Sequence, residues 1–259
     1  MQTFTRLAAA LSRARQSASA LSASALSVGA AAVAALAVSG LAAPGQALAQ
    51  DKQIKIGVIY DLTGPLAAGG SHAGYLGNKY AIDMINERGG VEGYKIVPIY
   101  ADAQSKAEVA INETERLLNQ EKVDMIMGVF SSAHCVPMAQ KVDQAKSFMW
   151  ANICVASSVF KDKNLKNVFR GQVHSDQFGE ASCKFLAENA KSKLGKEVKD
   201  LKVAIIYEDG PYGAGVAAGN EATCKQLGMQ IAIKEGYAAT SPDLSPLVTK
   251  LRRARPDAI

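Results

Sequence analysis

Histidine is scarce in this 259-residue sequence: His72, His134 and His174 are the only three, and none stands at a metal-ligand spacing from another. A histidine-based metal centre is therefore not expected. The four cysteines, Cys135, Cys154, Cys183 and Cys224, include no C-x-x-C pair. That absence removes a thioredoxin-type motif and a zinc knuckle. No serine lies in G-x-S-x-G, so no nucleophile elbow is visible. The nearest approach to a dinucleotide loop is Gly213-Ala-Gly-Val-Ala-Ala-Gly219. Its spacing, G-x-G-x-x-x-G, is one residue too long, and Pro211 and Tyr212 intervene after the preceding apolar stretch. Close packing of a helix on a sheet explains those glycines better. His134 stands beside Cys135, but neighbours at a helix start point in different directions, and nucleophile–base partners usually come from separate segments. His134 reads as a loop histidine, with a hydrogen bond to a polar ligand as the alternative. No catalytic set and no cofactor site emerge, and an enzyme is not expected.

Excess charge is also lacking once the N-terminus is set aside. Arg6, Arg13 and Arg15 precede any acidic residue; without them 26 basic residues face 24 acidic ones, and the net charge falls from +5 to +2. Nothing favours nucleic acid. The arginines belong to a stretch with the order of a secretory signal: a basic start, an alanine-rich apolar run from about Val28 to Ala43, and the small-x-small site Ala47-Leu-Ala49. Residues 1–49 are read as a cleaved signal peptide and the rest as periplasmic, an uncleaved anchor being the alternative. Export permits disulfides. Four cysteines allow three connectivities, and the sequence does not choose among them; pairing of neighbours is the preference.

From residue 50 onwards strands and helices alternate. Ile54–Tyr60 is a β-branched strand, Tyr75–Arg88 a helix stopped by Gly89-Gly90, Tyr94–Ala101 a strand and Lys106–Gln120 a helix. Val123–Met127 and Ser147–Ile153 continue the series. A second set follows, with strands at 168–173, 201–207 and 229–236 and helices at 177–193, 212–227 and 244–254. The pattern predicts an α/β fold built on parallel sheets flanked by helices. Ligands of such sheets bind at the carboxyl ends of strands, here the loops 61–72, 128–134 and 152–158. Pro256–Ile259 leads into a further strand, so the chain is expected to be a piece of a longer protein.

The stretch Met125–His134 concentrates this logic. A buried strand ends at Gly128, Ser131 and Ser132 follow, and Pro137 suits the first turn of the next helix. Free backbone N–H groups and the positive end of the helix dipole would face an anion flanked by the two hydroxyls. The plainer reading is that one of the serines caps the helix.

These stretches together resemble a family, the type I periplasmic solute-binding proteins of ABC importers in the leucine/isoleucine/valine-binding branch. The resemblance is carried by Ile54-Lys-Ile-Gly-Val58, Leu62-Thr-Gly-Pro65, Ala81-Ile-Asp-Met-Ile-Asn-Glu-Arg-Gly-Gly90 and Phe169-Arg170. It continues through Lys202-Val-Ala-Ile-Ile-Tyr-Glu-Asp209, Tyr212-Gly213, Val248-Thr-Lys-Leu251 and Pro256-Asp257. It implies a type I periplasmic-binding-protein fold of two lobes, 52–168 and 169–259, closing on a small molecule, with membrane permease subunits as partners and a monomer as the working form. Phe130 and Ser132 would hold a ligand carboxylate, with Ser131 beside them, and Tyr212 would close from the second lobe. Ala156 occupies the place of a ligand-contacting threonine, with Cys154 two residues before, and Gly69 stands where an aromatic can. These departures weigh against leucine itself and leave a branched-chain amino acid relative or an aromatic acid. The acidic partner of an ammonium group would lie beyond Ile259. The alternative is a ligand-sensing receptor of the same fold.

Overall fold

A computed structural model of the protein describes residues 52–259 except Thr240; the expected signal peptide at 1–49 lies outside the described residues. Two parallel sheets organise the chain. The first takes β1 (Gln53–Tyr60), β2 (Lys95–Asp102), β3 (Met125–Gly128), β4 (Phe148–Ala151) and β5 (Val168–Arg170) in the order β2-β1-β3-β4-β5. The second pairs β6 (Lys202–Glu208) with β7 (Gln230–Tyr237). Parallel neighbours need crossover connections. Here α1 (His72–Glu87), α2 (Ala107–Asn119) and α3 (Ser132–Gln144) serve the first sheet, and α5 (Pro211–Gln226) joins β6 to β7. Helices α4 (Ser175–Asn189) and α6 (Ser245–Ala254) complete the second layer. No described helix is long and apolar enough to cross a membrane.

The burial of β1 explains why it lies inside its sheet. Residues 56 to 60 are all sealed or nearly so. Successive side chains of a strand point to opposite faces, and β1 divides accordingly. Ile56, Val58 and Tyr60 pack with Ile82 of α1 and Ile96 of β2. Ile59 joins the other face with Leu117 of α2, Ile126 of β3, Met138 and Val142 of α3, and Met149 of β4. Each such large side chain withdrawn from water contributes about 1.5–3 kcal/mol.

The second layer is fastened differently. Gly215 and Gly219 of α5 meet α4 so closely that a Cβ would run into Ser175 Oγ and the Asp176 backbone. These glycines serve helix–helix contact rather than the helix–sheet packing expected of them; only Gly213 presses on strand backbone, at Glu208. A disulfide between Cys183 and Cys224, with Cα atoms 5.4 Å apart, locks the same two helices.

Two boundaries depart from the sequence reading. Helix α3 begins at Ser132, so Pro137 is its sixth residue and not part of its first turn. The ring removes one backbone donor from the helix interior without ending it. Phe169 and Arg170, expected to open the second lobe, pair with Trp150 and Ala151 and thus extend the first sheet. Asp257 and Ala258 donate to Lys202 O, and Ala258 O accepts from Ala204 N, so the expected lead into a strand lies along the free edge of β6.

Candidate functional site

The order β2-β1-β3 places a switch point between β1 and β3, since the chain moves to one side of β1 and then returns to the other. Loops leaving the carboxyl ends of adjacent strands diverge there and leave a crevice. The register sets those ends side by side: Ile59 pairs with Gly128, and Gly128 with Ala151. A cleft of about 490 Å³ opens above them.

One wall comes from the first sheet's loops. Leu66 follows β1, Phe130 to Ala133 follow β3, and Ile153 and Val155 follow β4. Gly128 permits the turn: its φ is 125°, and a Cβ there would collide with the Ile59 carbonyl oxygen. Gly70, at φ 131°, lets the loop after β1 settle on the Phe130 ring. The facing wall comes from Gln172, Phe178 at the start of α4, and Glu208, Pro211 and Tyr212 at the β6–α5 junction. The surface is largely apolar, with Ser131 and Ser132 on one side and Gln172 and Glu208 on the other.

Neither serine caps α3. Ser131 is the residue before the helix and Ser132 its first, and no side-chain capping bond forms. The Ser132 hydroxyl instead accepts from the Ala156 N–H at 3.2 Å. That bond uses the oxygen as acceptor and leaves the hydroxyl proton available as a donor. The His134 and Cys135 N–H groups donate to Ser131 O at 3.2 and 3.0 Å, while those of Ser132 and Ala133 are helix-start donors without an acceptor inside the helix.

The turn after β4 alternates, and its parity decides which residues meet the cleft. Ile153 and Val155 line it, whereas Cys154 and Ala156 point inwards and are 1% and 0% exposed. Cys154 is bonded to Cys135 in the first turns of α3, with Cα atoms 6.3 Å apart. Ala156 O accepts from Arg170 Nη1 at 2.9 Å, and the guanidinium stands 5.0 Å from the Phe160 ring centroid. Burial lowers the pKa of Arg170, against the opposing charge of Asp176. Cys154 and Ala156 therefore brace the cleft from behind, and their side chains do not line it. Phe130, Ser131, Ser132 and Tyr212 do line it. Leu66, Ile153, Val155, Gln172, Phe178 and Glu208 were missed; Glu208 ends β6, the type of position that the strand-end rule indicates.

The walls are pinned to each other by polar contacts at the start of α4. Ser175 N donates to Val155 O at 2.8 Å, Ser157 N to Ser175 Oγ at 3.0 Å, and Ser157 Oγ to Asp176 Oδ1 at 2.7 Å. His174 Nδ1 lies 3.3 Å from Ser157 Oγ. Serine, histidine and aspartate meet here without forming a catalytic triad. The carboxylate bonds the serine directly, and the imidazole turns one nitrogen to both partners. In a triad the imidazole separates the two and uses opposite nitrogens.

His134 does not line the cleft as a loop residue. It lies within α3, 2% exposed, and faces Asp61, which is fully buried after β1. Burial lowers the pKa of His134, and the Asp61 charge opposes that shift.

Over residues 53–259 the sequence matches the family described as periplasmic binding protein. It is 35% identical over 206 residues to the Leu/Ile/Val-binding protein homolog 7 of Brucella suis biovar 1 (strain 1330), covering 80% of this chain and 51% of that protein. Homolog 8 of Brucella abortus (strain 2308) is 31% identical over 206 residues, covering 80% and 50%. The chain thus spans about half the length of these curated relatives. Among solved structures, the leucine binding protein LivK of Thermotoga maritima MSB8 superposes with a TM-score of 0.68 at 24% identity, covering 80% of this chain and 55% of that one. A solute binding protein of an ABC transporter from R. palustris, in complex with 4-hydroxybenzoate, gives 0.66 at 22% identity, covering 80% and 54%. At these identities the superpositions speak to the fold alone.

Proposed function

Because the chain belongs to the periplasmic binding protein family, we propose that it serves as the exported substrate-binding component of an ABC importer. Its cargo would be a small carboxylate-bearing solute with an apolar body, delivered to membrane permease subunits. The first sheet with its helices forms one lobe, and β6, β7 and their helices the other. The observation that carries this reading is the cleft at the switch point, with apolar walls and two serines at the open N-terminus of α3. Free N–H groups and the helix dipole favour an anion at that spot. Phe130, Phe178 and Tyr212 suit a branched aliphatic or aromatic body. Relatives of this chain carry Leu/Ile/Val-binding names, and a fold neighbour holds 4-hydroxybenzoate. A branched-chain amino acid or an aromatic acid is accordingly the ligand class.

Isothermal titration of the whole protein against branched-chain amino acids, benzoates, dicarboxylates and neutral amides tests this. Binding of an apolar monocarboxylate without turnover is the expected result. Amides binding while every carboxylate fails would overturn the anion site, and conversion of any ligand would overturn the binding-protein reading.

A further inference from the structure

Ser132 lines the cleft with its oxygen already held from behind. The hydroxyl accepts from the Ala156 N–H at 3.2 Å, so the direction left to its own proton depends on where Ala156 stands. Ala156 is fully buried, in the turn that follows β4. What fixes it comes from the crossover that leaves the first sheet for α4. Arg170, the last residue of β5, donates from Nη1 to Ala156 O at 2.9 Å. The same carbonyl accepts from the Val159 N–H at 3.2 Å, so the arginine is not required simply to satisfy a buried acceptor. The guanidinium has supports of its own. It stands 5.0 Å from the Phe160 ring centroid, and Asp176 supplies an opposite charge. Asp176 in turn accepts from Ser157 Oγ at 2.7 Å. A planar cation beside a ring and a carboxylate has few directions in which to swing. Arg170 is thereby a fixed donor, and Ala156 is gripped by Arg170 through its carbonyl and by Ser132 through its N–H.

Resting on the reading of the cleft as a carboxylate site, we infer that Arg170 is a positioning residue for ligand binding, which acts through Ala156 to aim the Ser132 hydroxyl at the ligand's carboxylate. Arg170 does not itself line the cleft. The route runs from the guanidinium to Ala156 O, from the Ala156 N–H to Ser132 Oγ, and from the Ser132 hydroxyl proton to the ligand. A hydrogen bond weakens steeply as its angle bends. A shift of the turn too small to unfold it is therefore enough to weaken the last contact.

The competing role is structural, because Arg170 also covers Phe160 and answers Asp176. A double-mutant cycle with Ser132→Ala separates the two roles. The titrants are leucine, phenylalanine and benzoate, on the whole protein. With Ser132 present, Arg170→Met should raise the dissociation constant of whichever titrant binds about tenfold, a difference of about 1.4 kcal/mol. Arg170→Lys keeps a shorter cationic donor and should raise it about threefold. With Ser132 replaced by alanine, neither substitution should change affinity more than about twofold, the limit of ordinary additivity. Melting temperature should fall alike in both backgrounds, since the Phe160 contact does not involve Ser132. Equal losses of affinity in both backgrounds, or none in either, would overturn the assignment and leave the carboxylate site standing. Ser132→Ala binding like the parent would do the same, because Arg170 would then have no hydroxyl to aim. Failure of all three titrants to bind the parent would overturn the carboxylate reading and the assignment with it. If Arg170→Met does not fold, Arg170→Lys decides the cycle by the same criterion.

Discussion

His134 Nδ1 lies 3.4 Å from Asp61 Oδ1, and the two side chains are closed off from solvent. Neither that nitrogen nor Asp61 Oδ2 makes a hydrogen bond, although Asp61 Oδ1 accepts from the Ser105 N–H at 2.9 Å. The pair joins the end of β1 to the first turn of α3, two residues along the helix from Ser132.

That link makes a pH prediction. Burial lowers the pKa of His134 below 6.5, and the Asp61 charge opposes without reversing it. Between the lowered value and 6.5 the unfolded chain binds a proton that the folded chain refuses, so stability falls as pH falls. Each tenfold weakening of proton binding in the folded state corresponds to about 1.4 kcal/mol lost in acid. Melting temperature should drop from pH 7.5 towards pH 5, a range in which ordinary carboxylates stay ionised. His134→Gln should show a shallower drop over the same range. Parallel pH profiles for the two proteins would contradict this.

The sequence made the strand–helix order and the strand-end loops legible, because both rest on local periodicity and on residues such as Gly128 whose role is set by the backbone. It did not disclose which side of the 152–156 turn faces the ligand. A one-residue change of parity exchanges Ile153 and Val155 for Cys154 and Ala156, and only the packing of α3 against the turn fixes it. The start of α3 was misplaced for a similar reason: Pro137 suits a first turn, yet tertiary packing of Ser132, Cys135 and Met138 carries the helix a turn earlier. Glu208 was hidden because its place in the cleft depends on a facing wall formed by residues nearly eighty positions away in the chain.

Gly128→Ala should be strongly destabilising. The residue's φ of 125° is unfavourable for any L side chain, and the added methyl would collide with the Ile59 carbonyl oxygen. Strain of this sort costs about 1–3 kcal/mol before the collision is counted, so a loss of about 2 kcal/mol or more is expected in denaturant unfolding. A change under about 0.5 kcal/mol would show that β1 and β3 separate easily at this point.

The two disulfides should differ in what they control. Loop closure predicts that the Cys135–Cys154 bond, with a separation of 19, contributes about 3 kcal/mol, and the Cys183–Cys224 bond, with 41, about 4 kcal/mol. Replacing either pair by alanines should lower the melting temperature. Only loss of Cys135–Cys154 should also weaken ligand binding, since that bond joins the serine turn to the Ile153–Val155 turn. Titration of both double variants below their melting range checks this; equal affinities would confine the first bond to stability.

The serines allow the sharpest test of the cleft. Both line it, but their side chains are engaged differently. Ser132→Ala removes the buried acceptor of the Ala156 N–H, which costs about 1–3 kcal/mol of stability. Its effect on affinity would therefore mix direct contact with a loosened turn. Ser131 makes no capping bond, so Ser131→Ala should change stability by no more than about 0.5 kcal/mol. If its hydroxyl donates to a ligand carboxylate, the same substitution should raise the dissociation constant roughly 10- to 150-fold, the equivalent of about 1.5–3 kcal/mol for a hydrogen bond to a charged group. Melting and titration on the same two variants decide the matter. A Ser131→Ala protein that melts and binds like the parent removes that hydroxyl from the site. If Ser132→Ala then loses stability and still binds fully, the carboxylate is held by backbone N–H groups alone.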